Sequence, residues 1–159
     1  MSVDTLFIGI GSSHGDDRIG WLVADELQSI ASADLIVRHA KSPLDLLDWL
    51  GEIRCLAICD ACRGMGPVGS WHRSTWPIRD VPVVRPAGSH SLGLVDTLQL
   101  ASRLDLLPEE VLLWSVEIAG DRPVAQITTE VAAAISPVAN DVASVLRLRQ
   151  PASTFVDHH

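Results

Sequence analysis

The first part of the chain combines a short aliphatic run with a segment whose apolar residues follow helical spacing. Phe7, Ile8 and Ile10 form the run, which is typical of a buried strand. The turn that follows is rich in glycine, which permits close backbone approach. Beyond the turn, apolar residues recur every three or four positions, at Ile19, Val23, Leu27 and Ile30. This pattern predicts a strand, a loop and a helix, with the loop at the carboxyl end of the strand.

Similar patterns predict the elements of the remaining chain. Further strands are expected at 33–39, 54–60, 70–76 and 111–116, and further helices at 43–50, 91–104 and 128–146. Pro137 lies inside the last helix and predicts a kink or two helical pieces. The order of elements predicts an α/β fold, a three-layer, doubly wound, mostly parallel five-stranded sheet with one antiparallel edge strand. A hairpin-like, antiparallel connection is expected before the edge strand.

The length of 159 residues is typical of one domain. We expect a single α/β domain over residues 1–149 and a flexible tail over 150–159. Residues 77–89 contain three prolines and predict a long loop that ends at His90. If the second and third strands flank the first, the direction of winding reverses between the first and third strands, and this leaves a crevice at their carboxyl ends.

The composition narrows the possible partners. The chain has 20 acidic and 12 basic residues, a net charge of −8 and no cluster of lysine or arginine, so a nucleic acid is not an expected partner. No stretch approaches the roughly 20 apolar residues that span a bilayer, so no membrane association is expected and we predict a cytoplasmic protein. Cys55, Cys59 and Cys62 are expected to be reduced thiols, because an odd number of cysteines argues against a disulfide framework. A single C-x-x-C without a second pair does not form a zinc ribbon.

Acidic and imidazole side chains converge on the predicted crevice. Asp16 and Asp17 follow the first strand, Asp60 ends the third, and His90 precedes the third helix. Carboxylate and imidazole ligands from separate segments suit a divalent transition metal. A structural interpretation remains open, because acidic residues are common at helix starts, where they are stabilised by the helix dipole.

A dinucleotide site is a second interpretation of the glycine-rich turn. Gly9, Gly11 and Gly15 approach the Rossmann fingerprint, which requires G-x-G-x-x-G/A and an acidic residue at the end of the second strand. Here position 14 is His14 and the second predicted strand ends in Arg38-His39. The fingerprint is therefore incomplete, and this interpretation is the weaker one.

Several blocks of the sequence together resemble the hydrogenase maturation endopeptidases, which remove a carboxyl-terminal extension from the large subunit of nickel-iron hydrogenases. The resemblance covers most of residues 5–147, and the order and spacing of its blocks are more specific than any one block. The blocks are Ile8-Gly-Ile-Gly, Gly15-Asp-Asp, the strand that ends in Asp60, Gly66-Pro-Val-Gly, Trp71-His-Arg and Ser89-His-Ser-Leu-Gly-Leu94.

The resemblance implies a metal site formed by Asp17, Asp60 and His90. Asp16 is then the neighbouring acid and a possible substitute for Asp17. The chain departs from the family pattern at Ser12, where asparagine is usual, and at Arg18, where a small residue is usual. Arg18 brings a cation beside Asp17 that would compete with a metal for the carboxylate. His14 and Glu117 complete the set of residues expected to support the ligands.

The resemblance also implies the reaction and the partner. The expected activity is that of a metal-dependent processing endopeptidase acting on a hydrogenase large-subunit precursor, with nickel carried by the precursor and no organic cofactor. The sequence lacks the H-E-x-x-H motif of the standard zinc hydrolases. A non-proteolytic docking protein or chaperone for the precursor is the alternative function. We expect a monomer.

Overall fold

The computed structural model describes residues 5–31, 34–77, 93–119 and 126–148. The predicted tail at 150–159, His90 and most of the proline-rich loop lie outside these ranges. Within the described ranges, no helix is both long enough and apolar enough to cross a bilayer.

Five strands form one sheet in the order β2-β1-β3-β5-β4. All neighbouring pairs are parallel except β4 with β5. The predicted α/β architecture, with its antiparallel edge strand and with the second and third strands on either side of the first, is therefore confirmed. The strands are β1 (Thr5–Ile10), β2 (Leu35–Ala40), β3 (Cys55–Cys62), β4 (Trp71–Thr75) and β5 (Glu110–Glu117).

The predicted hairpin between β3 and β4 is wrong, because β5 lies between these two strands in the sheet. The buried residues of β5 explain this order. Six of its eight residues are buried, whereas every described residue of β4 keeps some exposure. An apolar strand gains most from an interior position with a neighbour on each side, and a strand with polar residues such as His72 and Arg73 is better placed at an edge.

Helices connect and cover the strands. Ser42 caps a short 3-10 helix by accepting a hydrogen bond from the N–H of Leu44, and Pro43 is its first residue. The two-piece helix predicted around Pro137 is confirmed, since this proline lies in the first turn of its second piece, where a missing N–H costs least. The elements are α1 (Ile19–Ile30), α2 (Leu94–Arg103), α3 (Thr129–Ala132), α4 (Ile135–Leu148) and 3-10 helices at Gly15–Arg18 and Pro43–Asp48.

The sheet has a buried core on each face. Ala57 and Cys59 of β3 contribute to the core under α1 and α4, whereas Leu56 and Ile58 contribute to the core under α2 and the second 3-10 helix. Side chains of a strand alternate between the two faces. Asp60 therefore continues the face of Leu56 and Ile58, toward the side of the sheet that α2 covers.

Two glycines allow α1 to pack directly on β1. A Cβ atom built on Gly9 would lie 2.0 Å from the carbonyl oxygen of Gly20, and one built on Gly20 would lie 2.0 Å from the carbonyl oxygen of Ile10. Backbone atoms of a buried strand and helix cannot move aside cheaply. This contact therefore determines how close the start of α1 comes to the end of β1.

Gly20→Ala is expected to lower the free energy of unfolding by at least about 2 kcal/mol, because the added methyl group overpacks a backbone contact. Gly51→Ala is the matched control, since no atom lies within 4 Å of a Cβ built at Gly51. Urea denaturation of both variants measures the difference. Equal stabilities for the two variants would contradict the proposed role of the β1–α1 contact.

Candidate functional site

The candidate site lies where the direction of winding reverses, at the carboxyl ends of β1 and β3. β1 has β2 on one side and β3 on the other, so the connections from β1 and β3 leave the sheet in different directions. Asp17 lies in the 3-10 helix that follows β1. Asp60 lies near the carboxyl end of β3, two residues before its last residue. The negative charge of Asp17 is one of the causes that raise the pKa of Asp60. Asp17 therefore lies within electrostatic range of Asp60.

Asp60 is an unusual carboxylate because it is half-buried at the end of an otherwise apolar strand. Loss of hydration raises the pKa of Asp60 to about 8, with a further increase from the charge of Asp17, while a hydrogen bond from the Ala61 N–H to Oδ1 at 2.8 Å acts in the opposite direction. A cation beside both carboxylates would favour their ionised forms. The site is therefore electrostatically suited to a metal ion.

Asp16 has a different environment from Asp17, although the two residues are adjacent. Asp16 is 9% exposed, and its Oδ1 accepts a hydrogen bond from the Thr128 N–H at 2.7 Å. Its Oδ2 accepts from the Ala119 N–H at 3.0 Å and from the Thr128 hydroxyl at 3.1 Å. The carboxylate thus links the turn after β1 to the segments after β5 and before α3.

The turn that carries Asp17 is closed by local hydrogen bonds. The Asp17 N–H donates to the carbonyl oxygen of His14 at 3.0 Å, and the Ser12 N–H donates to the carbonyl oxygen of Asp17 at 3.1 Å. The Ser12 hydroxyl accepts from the His14 N–H at 3.2 Å, and the Arg18 Nε donates to the carbonyl oxygen of Gly15 at 3.3 Å. Ser12, His14 and Arg18 therefore shape the backbone around Asp17, and the His14 side chain is exposed.

Glu117 ends β5 beside the same edge of the sheet and is 4% exposed. Its Oε2 accepts a hydrogen bond from the Gly64 N–H at 2.7 Å, and its Oε1 accepts from the Met65 N–H at 2.9 Å. The Cys62 thiol also donates to Oε1 at 3.7 Å. Glu117 therefore holds the segment that directly follows β3 and Asp60.

The cysteine pair has no features of a metal or redox site. Cys59 and Cys62 are both free thiols, and their odd separation along β3 directs them to opposite faces of the sheet. Burial raises the pKa of Cys59, and burial followed by the charge of Glu117 raises the pKa of Cys62 to about 12. Both thiols are therefore protonated at neutral pH, which makes them poor nucleophiles.

The full predicted ligand set cannot be assembled from the described residues, because His90 lies outside them. Within the described ranges, no group of three or more histidine, cysteine, aspartate or glutamate side chains is arranged to hold a metal ion. A cavity of about 460 Å³ lies elsewhere, at the amino ends of the strands, where it is lined by Trp76, Arg103 and Val111 among others. It is separate from the candidate site.

Sequence reasoning missed the partners of Asp16. Thr128 directly precedes α3, where a threonine often caps a helix, but it makes no side-chain capping bond and its hydroxyl donates to Asp16 instead. Asp16 and Thr128 are 112 positions apart in the chain. The sequence signal for this link, a polar residue before an acidic helix start, also fits an ordinary cap, so it could not distinguish the two arrangements.

These observations define the protein as an α/β protein with a mostly parallel sheet and with two carboxylates near its switch point. Solved structures of the same fold include the hydrogenase maturating endopeptidase HybD from E. coli, with 23% identity, a TM-score of 0.77 and coverage of 92% of this chain and 93% of that chain. The hydrogenase maturation protease HycI from Thermococcus kodakarensis KOD1 has 17% identity and a TM-score of 0.70, with 92% and 94% covered.

A third similar structure is the hydrogenase maturation protease HybD from Thermococcus kodakarensis, with 16% identity, a TM-score of 0.71 and coverage of 89% of this chain and 98% of that chain. No family model and no curated protein sequence matches the chain. At these identities the likeness establishes a common fold over nearly the whole length of both chains.

Asp60→Asn is expected to stabilise the metal-free protein at neutral pH. Because the pKa of Asp60 is raised to about 8, the folded protein retains a proton that the unfolded chain releases near pH 4. The free energy of unfolding therefore falls as pH rises between about 4 and 8. Asparagine keeps an acceptor for the Ala61 N–H and does not ionise, so the variant should be more stable by on the order of 1–3 kcal/mol above pH 8 and by much less near pH 4.

Urea denaturation in the presence of a chelator, at about pH 4, 6 and 8.5, measures this difference. Asp34→Asn is the control for the change in net charge, because Asp34 is exposed. A stability difference for Asp60→Asn that does not grow with pH would contradict the proposed environment of Asp60.

Asp16→Ala is expected to lower the free energy of unfolding by about 3 kcal/mol, because the N–H groups of Ala119 and Thr128 lose their acceptor. Asp96→Ala is the comparison, since Asp96 is an exposed acidic residue at the start of α2. Urea denaturation tests both variants. A loss for Asp16→Ala no larger than that for Asp96→Ala would show that the link is not structural.

Proposed function

We propose that the protein is a metal-dependent endopeptidase that removes a carboxyl-terminal extension from the nickel-loaded large-subunit precursor of a nickel-iron hydrogenase. The observation that carries the proposal is that Asp17 and Asp60 influence each other electrostatically at the switch point of a fold that hydrogenase maturation proteases share. His90 is proposed as the third ligand. Nickel belongs to the substrate in this proposal, and no organic cofactor is involved.

The side chains of Asp17, Asp60 and His90 are suitable ligands for the nickel ion of the precursor. Two carboxylates and an imidazole leave coordination positions for ligands from the precursor, and this combination is acceptable to divalent transition metals such as Ni²⁺. Both carboxylates must be ionised to bind the ion, and the raised pKa of Asp60 means that binding releases a proton near neutral pH. Nickel affinity should consequently increase with pH up to about 8.

The reaction is hydrolysis of one peptide bond, in which water supplies the oxygen of the new carboxylate and a proton reaches the leaving amine. The nickel of the precursor polarises the scissile carbonyl or a water molecule, or serves as the anchor that brings the bond into position. Asp17, Asp60 and His90 bind the cargo and so orient the extension. Asp16 holds the turn that carries Asp17.

The proposal extends to the setting of the reaction. We place the enzyme in the cytoplasm as a monomer, with the precursor as its macromolecular partner and without nucleic acid or membrane partners. The predominance of acidic residues supports the exclusion of nucleic acid, because such binding requires a basic surface.

Cleavage of a nickel-loaded precursor tests the function directly. Intact-mass spectrometry should show loss of a carboxyl-terminal fragment from the precursor with the wild-type protein. Asp17→Asn, Asp60→Asn and His90→Ala should each lower the rate at least about 100-fold, because each removes one proposed ligand of the metal. Asp96→Asn, at an exposed position on α2, should leave the rate unchanged.

The alternative docking function makes a different prediction in the same experiment. A precursor that binds to the wild-type protein and keeps its full mass would support a non-proteolytic chaperone and contradict the endopeptidase. Unchanged cleavage in all three ligand variants would contradict the proposed site while leaving the activity in place.

A further inference from the structure

The segment 63–69 lies between β3 and β4 and starts three residues after Asp60. Its amino-terminal part is held by the carboxylate of Glu117, through the N–H groups of Gly64 at 2.7 Å and Met65 at 2.9 Å. Glu117 is buried, and its hydrogen bonds within the described structure come from the Cys62 thiol and from the backbone. A buried carboxylate is retained when such donors compensate for its lost hydration.

The backbone of Glu117 holds the other end of the same segment. The Gly69 N–H donates to the carbonyl oxygen of Glu117 at 2.8 Å, and the Glu117 N–H donates to the carbonyl oxygen of Ser70 at 2.8 Å. Gly69 has a φ of +89°, and a Cβ there would lie 2.5 Å from the carbonyl oxygen of Glu130. One residue of β5 therefore fixes both ends of segment 63–69 beside the candidate site.

We propose that Glu117 is a positioning residue that fixes segment 63–69 as a wall on the β5 side of Asp60, and that this wall aligns the peptide extension of the precursor against Asp60. The inference rests on the proposed function and adds a residue that does not bind the metal. In this proposal the peptide is recognised by segment 63–69, and the conformation of that segment depends on the buried carboxylate of Glu117.

Glutamine cannot replace Glu117 without moving this segment. Both carboxylate oxygens accept hydrogen bonds from backbone N–H groups. An amide has one oxygen and one NH₂ group, so in either orientation an NH₂ group faces a loop N–H. Glu117→Gln therefore changes the position of segment 63–69 while the side chain keeps nearly the same volume.

A purely structural role for Glu117 is the competing explanation, and Asp141 supplies a matched control. Asp141 accepts hydrogen bonds from the Trp114 Nε1 at 2.9 Å and from the Arg73 guanidinium at 3.0 Å. It lies on α4, which covers the opposite face of the sheet from Asp60. Asp141→Asn thus disturbs a comparable set of hydrogen bonds away from the crevice.

The experiment measures the kinetics of precursor cleavage, together with binding of Ni²⁺ alone by isothermal titration calorimetry. Glu117→Gln should raise the KM for the precursor about tenfold, with kcat and Ni²⁺ affinity within about threefold of wild type, because the wall contacts the peptide and not the metal. Asp141→Asn should leave KM and kcat unchanged when rates are expressed per folded molecule.

Gly64→Ala keeps the test decisive if Glu117→Gln does not fold. Gly64 has a φ of +85° and no atom lies within 4 Å of a Cβ built there, so alanine strains the segment without a clash. This variant should raise KM in the same direction. Unchanged KM in both variants, or loss of Ni²⁺ affinity in Glu117→Gln, would overturn the proposal.

Failure of the proposed function can be distinguished from failure of this inference. If the wild-type protein cuts no precursor, the endopeptidase proposal fails, and the affinity for the intact nickel-loaded precursor becomes the measurement for Glu117. About tenfold weaker binding by Glu117→Gln than by wild type then supports the positioning role. Equal binding overturns it.

Discussion

The close contact between α1 and β1 is the constraint on which the candidate site depends. Gly9 and Gly20 let the backbones touch, and Gly11 has space only for hydrogen atoms, because a Cβ there would lie 2.7 Å from the carbonyl oxygen of Asp17. The turn after β1 is consequently folded down onto the end of its strand. Asp17 therefore lies within electrostatic range of Asp60 on the neighbouring strand.

The carboxylates of Asp16, Asp60 and Glu117 have different physical roles at this edge. Asp16 and Glu117 are surrounded by backbone N–H groups, which compensate for burial of the charge. Within the part of the chain that the structure describes, Asp60 has one such donor, and its burial together with the negative charge of Asp17 disfavours its ionised form. The first two residues hold loops in place, whereas Asp60 has an electrostatic deficit that a bound cation would relieve. Carboxylates whose ionised form is disfavoured in this way are common at functional sites.

Much of this arrangement follows from local sequence patterns. The order of apolar strands and amphipathic helices was sufficient to predict the parallel sheet, and Asp17 and Asp60 were placed together because both follow neighbouring strands. The partners of Asp16 and the strand that pairs with β4 were not predictable, because each depends on contacts between residues far apart in the chain. Asp16 and Thr128 are 112 positions apart, and the pairing of β4 with β5 reflects competition among strands for interior positions.

The contacts of Glu117 were also not predictable from the sequence. The sequence predicted that Glu117 supports the site, but it could not predict which atoms Glu117 holds, because its hydrogen bonds come from backbone N–H groups that any residue type except proline can supply. Gly64 and Gly69 have positive φ angles, and Pro67 between them has a φ fixed by its ring, so these three residues mark the segment as conformationally restricted. Side-chain chemistry can therefore be read from the sequence more readily than the backbone contacts that position it.

Nickel-induced line broadening in the NMR spectrum of the 15N-labelled protein tests the central claim most directly. A His158→Ala/His159→Ala variant removes the two terminal histidines as competing ligands. The account predicts that substoichiometric Ni²⁺ broadens the amide signals of residues 10–18 and 59–65 first, that signals around Arg103 and Val111 persist, and that Asp17→Asn/Asp60→Asn abolishes the effect. Broadening centred elsewhere, or unchanged by the double substitution, would contradict a nickel-binding crevice between β1 and β3.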